Sequence, residues 1–570
     1  MNRPLLVVVL LALALHAPCL RWGFFTDDYG LQAVLRLPGV HPDMRPWDLY
    51  DFGDRPEPDS PLGELAAVPW WTAPDWEVRF FRPLTSLSLA LDTELFGDWA
   101  VGHHLSGLAL FALLLWTVHR LYRALGLPRA AALLGLALFA AENGSVLPVG
   151  WMANRNSLLA TLFTTAALAT LLGGRRPGGP RALAGALGLG LCACLCKESG
   201  IAVFLLIPAG LLRAPPGRVR FATAAGLSLL VAAAYLAFLL GLGYGANSLF
   251  YPTPWGEPLE VLRRFAVLLP AGLLALGLPV PLDLLFTNPG LQLPAALVAA
   301  AVVLPLGTFL WRRVRAHPAA GLLALWVAVS LLPQAGAPIS DRLLFGASVG
   351  SSALLALFVT TGPPLRPLRA GSLASWLVLA GAGLASAGVL LGAQETLRQV
   401  ANLGRAVVLD AELGPGTPPR EVLMLQVPSA LTALNPGPTW LIERGEPRVR
   451  FWSLQYGRRA LGWTGVDERT FELESLDAPF LKHSVEEVFQ TTREPPALGT
   501  RWETAFFTVE AVESDAGGLR RIRVRCREEL ASPAVRFVTW RDGRMRAVAP
   551  PGPGETVRLP AVEAPIPLIP

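Results

Sequence analysis

Lysine is almost missing from this sequence. Lys197 and Lys482 are the only lysines among 48 basic residues, so arginine carries nearly all the positive charge and the position of Lys197 stands out. Charge of either sign is scarce as well, at 16% of 570 residues, where soluble domains hold roughly 25%. Together with 52% apolar residues, that shortage excludes an ordinary soluble fold for most of the chain. The five cysteines form no disulfide framework. Cys192, Cys194 and Cys196 alternate inside one apolar run, so the three do not all lie on one helix face and lack the usual metal-ligand spacing. No triad of metal ligands is visible, and neither a metal nor another cofactor is expected.

What is abundant is apolar residues in blocks. A helix needs roughly 20 of them to cross a bilayer. The blocks fall near 5–20, 102–118, 130–149, 157–173, 182–196, 200–212, 221–243, 291–311, 319–335, 343–361 and 371–393. They predict an all-α polytopic membrane protein with about 11 transmembrane helices. The first block, opened by Arg3 and ending near Ala17-Pro18-Cys19, resembles the apolar core of a signal peptide; it is expected to be retained.

Arginines give the orientation, because basic residues of short loops stay cytoplasmic. Arg120, Arg123 and Arg129 mark one loop, then Arg175, Arg176 and Arg181, then Arg213, Arg218 and Arg220, then Arg312, Arg313 and Arg315, then Arg366 and Arg369. The alternate loops carry Asp27, Asp28, Glu142, Glu198, Glu257, Glu260 and Asp341 and are assigned to the outer face. That spacing accounts for the net charge of +5 without invoking nucleic acid. Crossing at Phe265–Pro281 would reverse the Arg312 cluster, and Pro270, Pro279 and Pro281 interrupt the run, so a re-entrant or interfacial segment is expected there.

Three parts follow. A transmembrane catalytic domain covers 1–393, with a large acidic outer loop at 21–100; a soluble β-rich domain covers 394–570 and lies outside the inner membrane, in the periplasm. In the loop, Trp47, Trp70, Trp71 and Trp76 read as interfacial anchors or as a sugar platform, the anchor being the commoner role. Pro83 opens a helix too polar at Asp92 and Glu94 to span. In the last domain, 506–513 and 519–527 form a hairpin through Asp515-Ala516-Gly517-Gly518, with Ile522, Val524 and Cys526 inward and the alternating arginines on a solvated face. A second hairpin turns at Asp542-Gly543.

Ionisable residues at membrane boundaries are functional candidates. Five places qualify: Asp27 with Asp28, Arg82, Arg155, Lys197 with Glu198, and Asp341 with Arg342, all assigned to the outer side. A carboxylate can act as general base toward a hydroxyl while cations stabilise a phosphate. Because phosphate leaves as a stable anion, such a transfer needs no general acid, and inverting displacement at an anomeric carbon places the base opposite the leaving group.

Six motifs in order, FFTDDYG at 24–30, FFRPLTSLSLAL at 80–91, GHHLSGLALF at 102–111, GWMANRNSLLA at 150–160, CKESGIAVFLLIP at 196–208 and SDRLLFGASVG at 340–350, resemble the GT-C glycosyltransferases, nearest to the protein O-mannosyltransferase-like branch, over residues 1 to 393. The resemblance implies transfer of a sugar such as mannose from a polyprenyl-phosphate carrier to a protein, lipid or glycan acceptor on the outer face. It implies Asp27 as base with Asp28 beside it. It also implies Arg82, Arg155, Lys197 and Arg342 as ligands of the donor phosphate or as partners of Glu198 and Asp341, with His103 and His104 in support. The chain departs from relatives at Glu142-Asn143, and 394–570 has no helical repeat of about 34 residues.

Blander readings stand beside these. Asp27 or Asp28 could cap a helix, Lys197 and Glu198 could neutralise each other, Arg155 and Arg342 could bind headgroups, and boundary histidines are more often satisfied structurally. A transporter or flippase of lipid-linked sugars would also need an outer charged pocket, but no internal repeat or mid-membrane charge is seen. A non-catalytic scaffold would not need Asp27.

Overall fold

The computed structural model describes residues 3–37, 40, 44–64, 68–173, 176–212, 219–361, 370–415, 418–445, 449–482, 485–515 and 517–563. Arg175, Arg213, Arg218, Arg366, Arg369 and Ala516 lie outside the described residues.

Each apolar block is helical, but the blocks differ in reach. Seven helices are long and apolar enough to cross a membrane: Arg3–Arg21, Ala100–Ala124, Met152–Gly173, Phe221–Gly241, Pro289–Val314, Asp341–Thr361 and Ser372–Leu409. An eighth is counted if Arg129–Ala141 and Asn143–Gly150, bent by 62°, make one broken span. The break falls at Glu142, whose extended backbone interrupts the helical hydrogen bonding. The remaining blocks, Pro180–Cys194, Glu198–Leu211 and Ala320–Gly336, are shorter apolar helices. The expected eleven therefore resolve into seven full-length helices, one broken pair and three short ones among the described residues. The chain is a multi-pass membrane protein. Residues 265–275 of the 265–281 run end the helix Pro258–Ala275, with Pro270 inside it, and the chain has left the helix before Pro279 and Pro281.

The helices pack by close approach of small residues and by hydrogen bonds that apolar surroundings strengthen. A methyl group on Gly350 would stand 2.7 Å from the Leu323 carbonyl oxygen, so only glycine lets those helices touch. Thr117 and Thr165 share a hydrogen bond at 3.0 Å, and the Tyr122 hydroxyl donates to the Val349 carbonyl at 2.6 Å. By contrast Leu293, Leu297, Val298 and Leu304 of Pro289–Val314 stay exposed, the surface a lipid would cover.

The last helix does not stop where the composition changes. It runs past residue 393 to Leu409 and carries the chain into a β-rich unit. Two sheets form there. A six-stranded antiparallel sheet contains the hairpin Phe507–Asp515 and Gly518–Cys526, with Ile522, Val524 and Cys526 buried as their alternation predicts. A four-stranded sheet pairs Glu421–Gln426 in parallel with both Val535–Arg541 and Arg450–Ser453, and the second hairpin turns between Arg541 and Arg544. The strand arginines are held in ion pairs, Arg523 with Glu472 at 2.7 Å and Arg521 with Glu513, which suits a solvated ladder and leaves little charge for a polyanion.

The outer loop is not free of this unit. Trp70, Trp71 and Trp76 are buried in the core of the β-rich half against Trp502, Tyr456 and Phe489. The Trp70 and Trp76 indole N–H groups donate to the Leu454 and Val488 carbonyls. These tryptophans are neither membrane anchors nor an open sugar platform; of the four, Trp47 is exposed. The loop strands Asp51–Asp54 and Glu77–Arg79 continue onto Gly245–Asn247 from a distant loop, making a third small sheet.

Candidate functional site

Asp27 and Asp28 begin the helix Asp27–Arg36 and then take different paths. Thr26 before them sits at φ +43°, a strained region for a β-branched residue and one that clusters at functional sites. Asp28 is buried with both oxygens occupied, accepting from the Phe25 N–H at 3.0 Å and the Ala153 N–H at 2.9 Å. It reaches back as a cap does and pins the 151–155 turn to the first loop. Of the expected catalytic pair, Asp28 is the one whose two oxygens each hold a backbone N–H, so it braces the loop.

Asp27 differs. Its Oδ1 accepts from the Asn435 amide at 3.3 Å, and its Oδ2 is recorded with no hydrogen bond among the described residues. Burial holds its carboxyl above the usual range, while Arg342 and Asn435 act against that shift.

The cations divide in the same way. Arg82 is committed to Glu198 through a two-pronged contact at 2.9 and 2.8 Å, and its guanidinium lies over the Phe80 and Tyr50 rings at 4.4 and 5.0 Å. Arg155 is buried against Asp92 at 2.5 Å and donates to the His103 carbonyl at 3.0 Å. Its charge is paired inside the protein, the structural alternative to the expected phosphate contact.

Lys197 and Arg342 are not spent. Lys197 donates to the Ser157 hydroxyl at 2.8 Å and makes no ion pair among the described residues. Its ammonium is pushed down to about 7, by burial first and then by Arg82 and Arg342, with Glu198 opposing. Arg342 has no hydrogen bond or ion pair among the described residues; its guanidinium stands 5.7 Å from the Trp151 ring centre. Asp341 does not pair with it, since Oδ1 accepts from the Leu282 N–H at 2.9 Å.

Arg342 and Ser157 line one narrow groove with Thr161, Ser199, Trp326 and Gln334, with about 40 Å³ of space open to water. Its wall mixes hydroxyl and amide groups with apolar residues such as Ala160, Ala202 and Phe345, Arg342 lines it, and Lys197 reaches it through Ser157; these polar groups can hold a phosphate. The Tyr251 phenol lies within electrostatic reach of Arg342, Asp27, Arg82 and Glu198. Nothing in the sequence around Tyr251 signalled that place; Ser157, by contrast, sits in the 150–160 motif.

His103 and His104 brace backbone, their Nε2 atoms bonded at 3.0 Å to the Gly97 and Gly23 carbonyls. They hold the turns on either side of the site, the commoner role for boundary histidines. Glu142 is buried, and both its oxygens lack a hydrogen bond among the described residues. No cluster of three or more His, Cys, Asp or Glu that could hold a metal ion is found among the described residues.

No model of a known protein family matches the sequence, and no curated protein matches it. Solved structures do. The oligosaccharyltransferase of Archaeoglobus fulgidus, crystallised with a tethered acceptor peptide, is similar to this chain at 14% identity and a TM-score of 0.41 over 78% of this chain and 63% of its own. Its complex with zinc and sulfate gives 14%, 0.40, 80% and 63%. The chain thus spans less than two thirds of that protein's length. ArnT from Cupriavidus metallidurans, bound to undecaprenyl phosphate, is similar at 13% identity and a TM-score of 0.39, over 79% of this chain and 89% of its own.

Proposed function

We propose that the chain is a membrane glycosyltransferase that moves a sugar, a hexose such as mannose, from a polyprenyl-phosphate carrier to a protein, lipid or glycan acceptor on the periplasmic face of the inner membrane. The observation that carries this reading is one groove flanked by two unspent cations, Lys197 and Arg342, with a half-free carboxylate, Asp27, within electrostatic reach of Arg342.

In this mechanism the acceptor hydroxyl attacks the anomeric carbon as Asp27 Oδ2 takes its proton, and the bond from that carbon to the phosphate oxygen breaks with inversion. The electron pair stays on the phosphate, which Lys197 and Arg342 stabilise as an anion. Arg82 holds Glu198 and with it the backbone that presents Lys197. No carboxylic acid is required opposite the base, and Asp28 is engaged with the backbone N–H groups of Phe25 and Ala153.

Asp27→Asn in lipid nanodiscs, assayed with radiolabelled polyprenyl-phosphate mannose and a membrane acceptor fraction, tests the reading. The expected loss is about 10²–10⁴-fold in rate with donor binding retained, the range for removing a general base. Transfer at the unaltered rate would overturn it.

A further inference from the structure

Asn435 begins the helix Pro436–Arg444 in the β-rich half. Asparagine at that position ordinarily caps the helix with its own side chain. Here the side chain makes no cap and points across to the first loop, its Nδ2 on Asp27 Oδ1 at 3.3 Å. The carboxylate decides which way the amide faces, because its oxygen would be repelled there.

The other end of the amide is fitted as closely. Asn435 Oδ1 lies 3.3 Å from where a methyl group on Gly30 would stand, and Gly30 follows Asp27 by three residues on the same helix face. Glycine is a poor residue for a helix interior, and this one leaves room for the amide. The two helices are further tied by the Tyr29 hydroxyl, which donates to Glu443 at 2.6 Å, and Arg405 of the helix Ser386–Leu409 stands 3.2 Å from the same carboxylate.

We infer that Asn435 is a positioning residue for Asp27: an amide supplied by the β-rich half holds Oδ1 and leaves Oδ2 aimed at the acceptor. This inference rests on Asp27 being the base. The charged and titratable groups facing Asp27 are Arg342 from the start of its span, Asp28 from its own helix and Tyr251 from the loop before Pro258–Ala275; Glu443 and Arg405 are paired with each other nearby. Against that background the amide favours the ionised carboxylate, so its removal makes Asp27 easier to protonate.

Dicyclohexylcarbodiimide reacts with protonated carboxyl groups in apolar surroundings, and peptide mass spectrometry reads its adduct on Asp27 as a function of pH in the full-length protein in nanodiscs. Asn435→Ala is expected to raise the pH midpoint of labelling by about one unit, a tenfold change in the protonation equilibrium, as follows from losing one hydrogen bond to a charged group. Gly30→Ala displaces the amide without deleting it and is expected to move the midpoint in the same direction. Its helix should meanwhile be no less stable, so a general loosening would not produce the same pair of results. An unmoved midpoint in folded Asn435→Ala overturns the inference; should that variant not fold, the Gly30→Ala midpoint decides. Asp27→Asn must lose the adduct. If it loses the adduct yet still transfers sugar, the reading of Asp27 as base falls while the Asn435 contact stands.

Discussion

In the proposed mechanism Asp27 and Lys197 need opposite protonation states. The base works ionised, and burial holds its carboxyl above the ordinary range, so activity falls as pH drops through that raised value. The phosphate ligand works protonated, and burial with two neighbouring guanidiniums brings it down to about 7. In the free enzyme its charge is full below that pH and is lost as pH rises through it. The expected kcat/KM profile for donor is therefore bell-shaped, with an alkaline limb near pH 7. Bound phosphate pulls the ammonium back up, so kcat should show that limb less. Lys197→Arg should remove the limb, since guanidinium does not titrate in this range; a limb that persists in that variant would assign it to another group. Arg342→Ala should raise the donor KM by tenfold or more, corresponding to about 1.4 kcal/mol or more, because no second ion pair stands behind it.

At the scale of elements, the Arg155–Asp92 pair joins the Met152–Gly173 span to the helix Pro83–Phe96. Both groups are buried, so removing one strands the other. Arg155→Met is expected to destabilise the protein by about 3–5 kcal/mol, while Arg155→Met with Asp92→Leu should recover most of that loss. Thermal unfolding in detergent reads both. A purely functional Arg155 would show the reverse, with stability unchanged and donor binding lost. The broken helix at Glu142 follows the same logic of position: its two halves bend by 62° where a buried carboxylate replaces helical backbone bonding.

For the whole molecule, the first loop and the β-rich half share a core. Trp71 is almost fully buried against Trp70 and Tyr456. Trp71→Ala should cost about 3–5 kcal/mol and expose both the first loop and the β-rich half to protease in parallel, although some 380 residues separate them in sequence, as the Trp70–Leu454 contact does. Cleavage confined to one of them would argue for independent units. Truncation after Leu409 should likewise abolish transfer even though every apolar helix is kept, because the loop that presents Asp27 loses its support. The boundary proposed at residue 393 is then one of composition; the helix that crosses it to Leu409 makes the two parts mechanically continuous.

Residues alone determined that the chain is a multi-pass helical membrane protein with a β-rich tail, since hydropathy blocks and strand alternation are properties of neighbours in sequence. They also singled out the charged residues of the site, because charge at a membrane boundary is conspicuous against an apolar background. Which of those charges is free was decided only in three dimensions. Asp28 met Phe25 and Ala153, Arg155 met Asp92, and Arg82 met Glu198, while Asp27, Lys197 and Arg342 kept capacity to bind. Partners such as Asn435 and Tyr251 come from loops far along the chain, and no local pattern encodes them. A salt bridge or a buried indole is satisfied by whatever the fold brings within about 3 Å, and that proximity is a property of packing that no stretch of sequence carries.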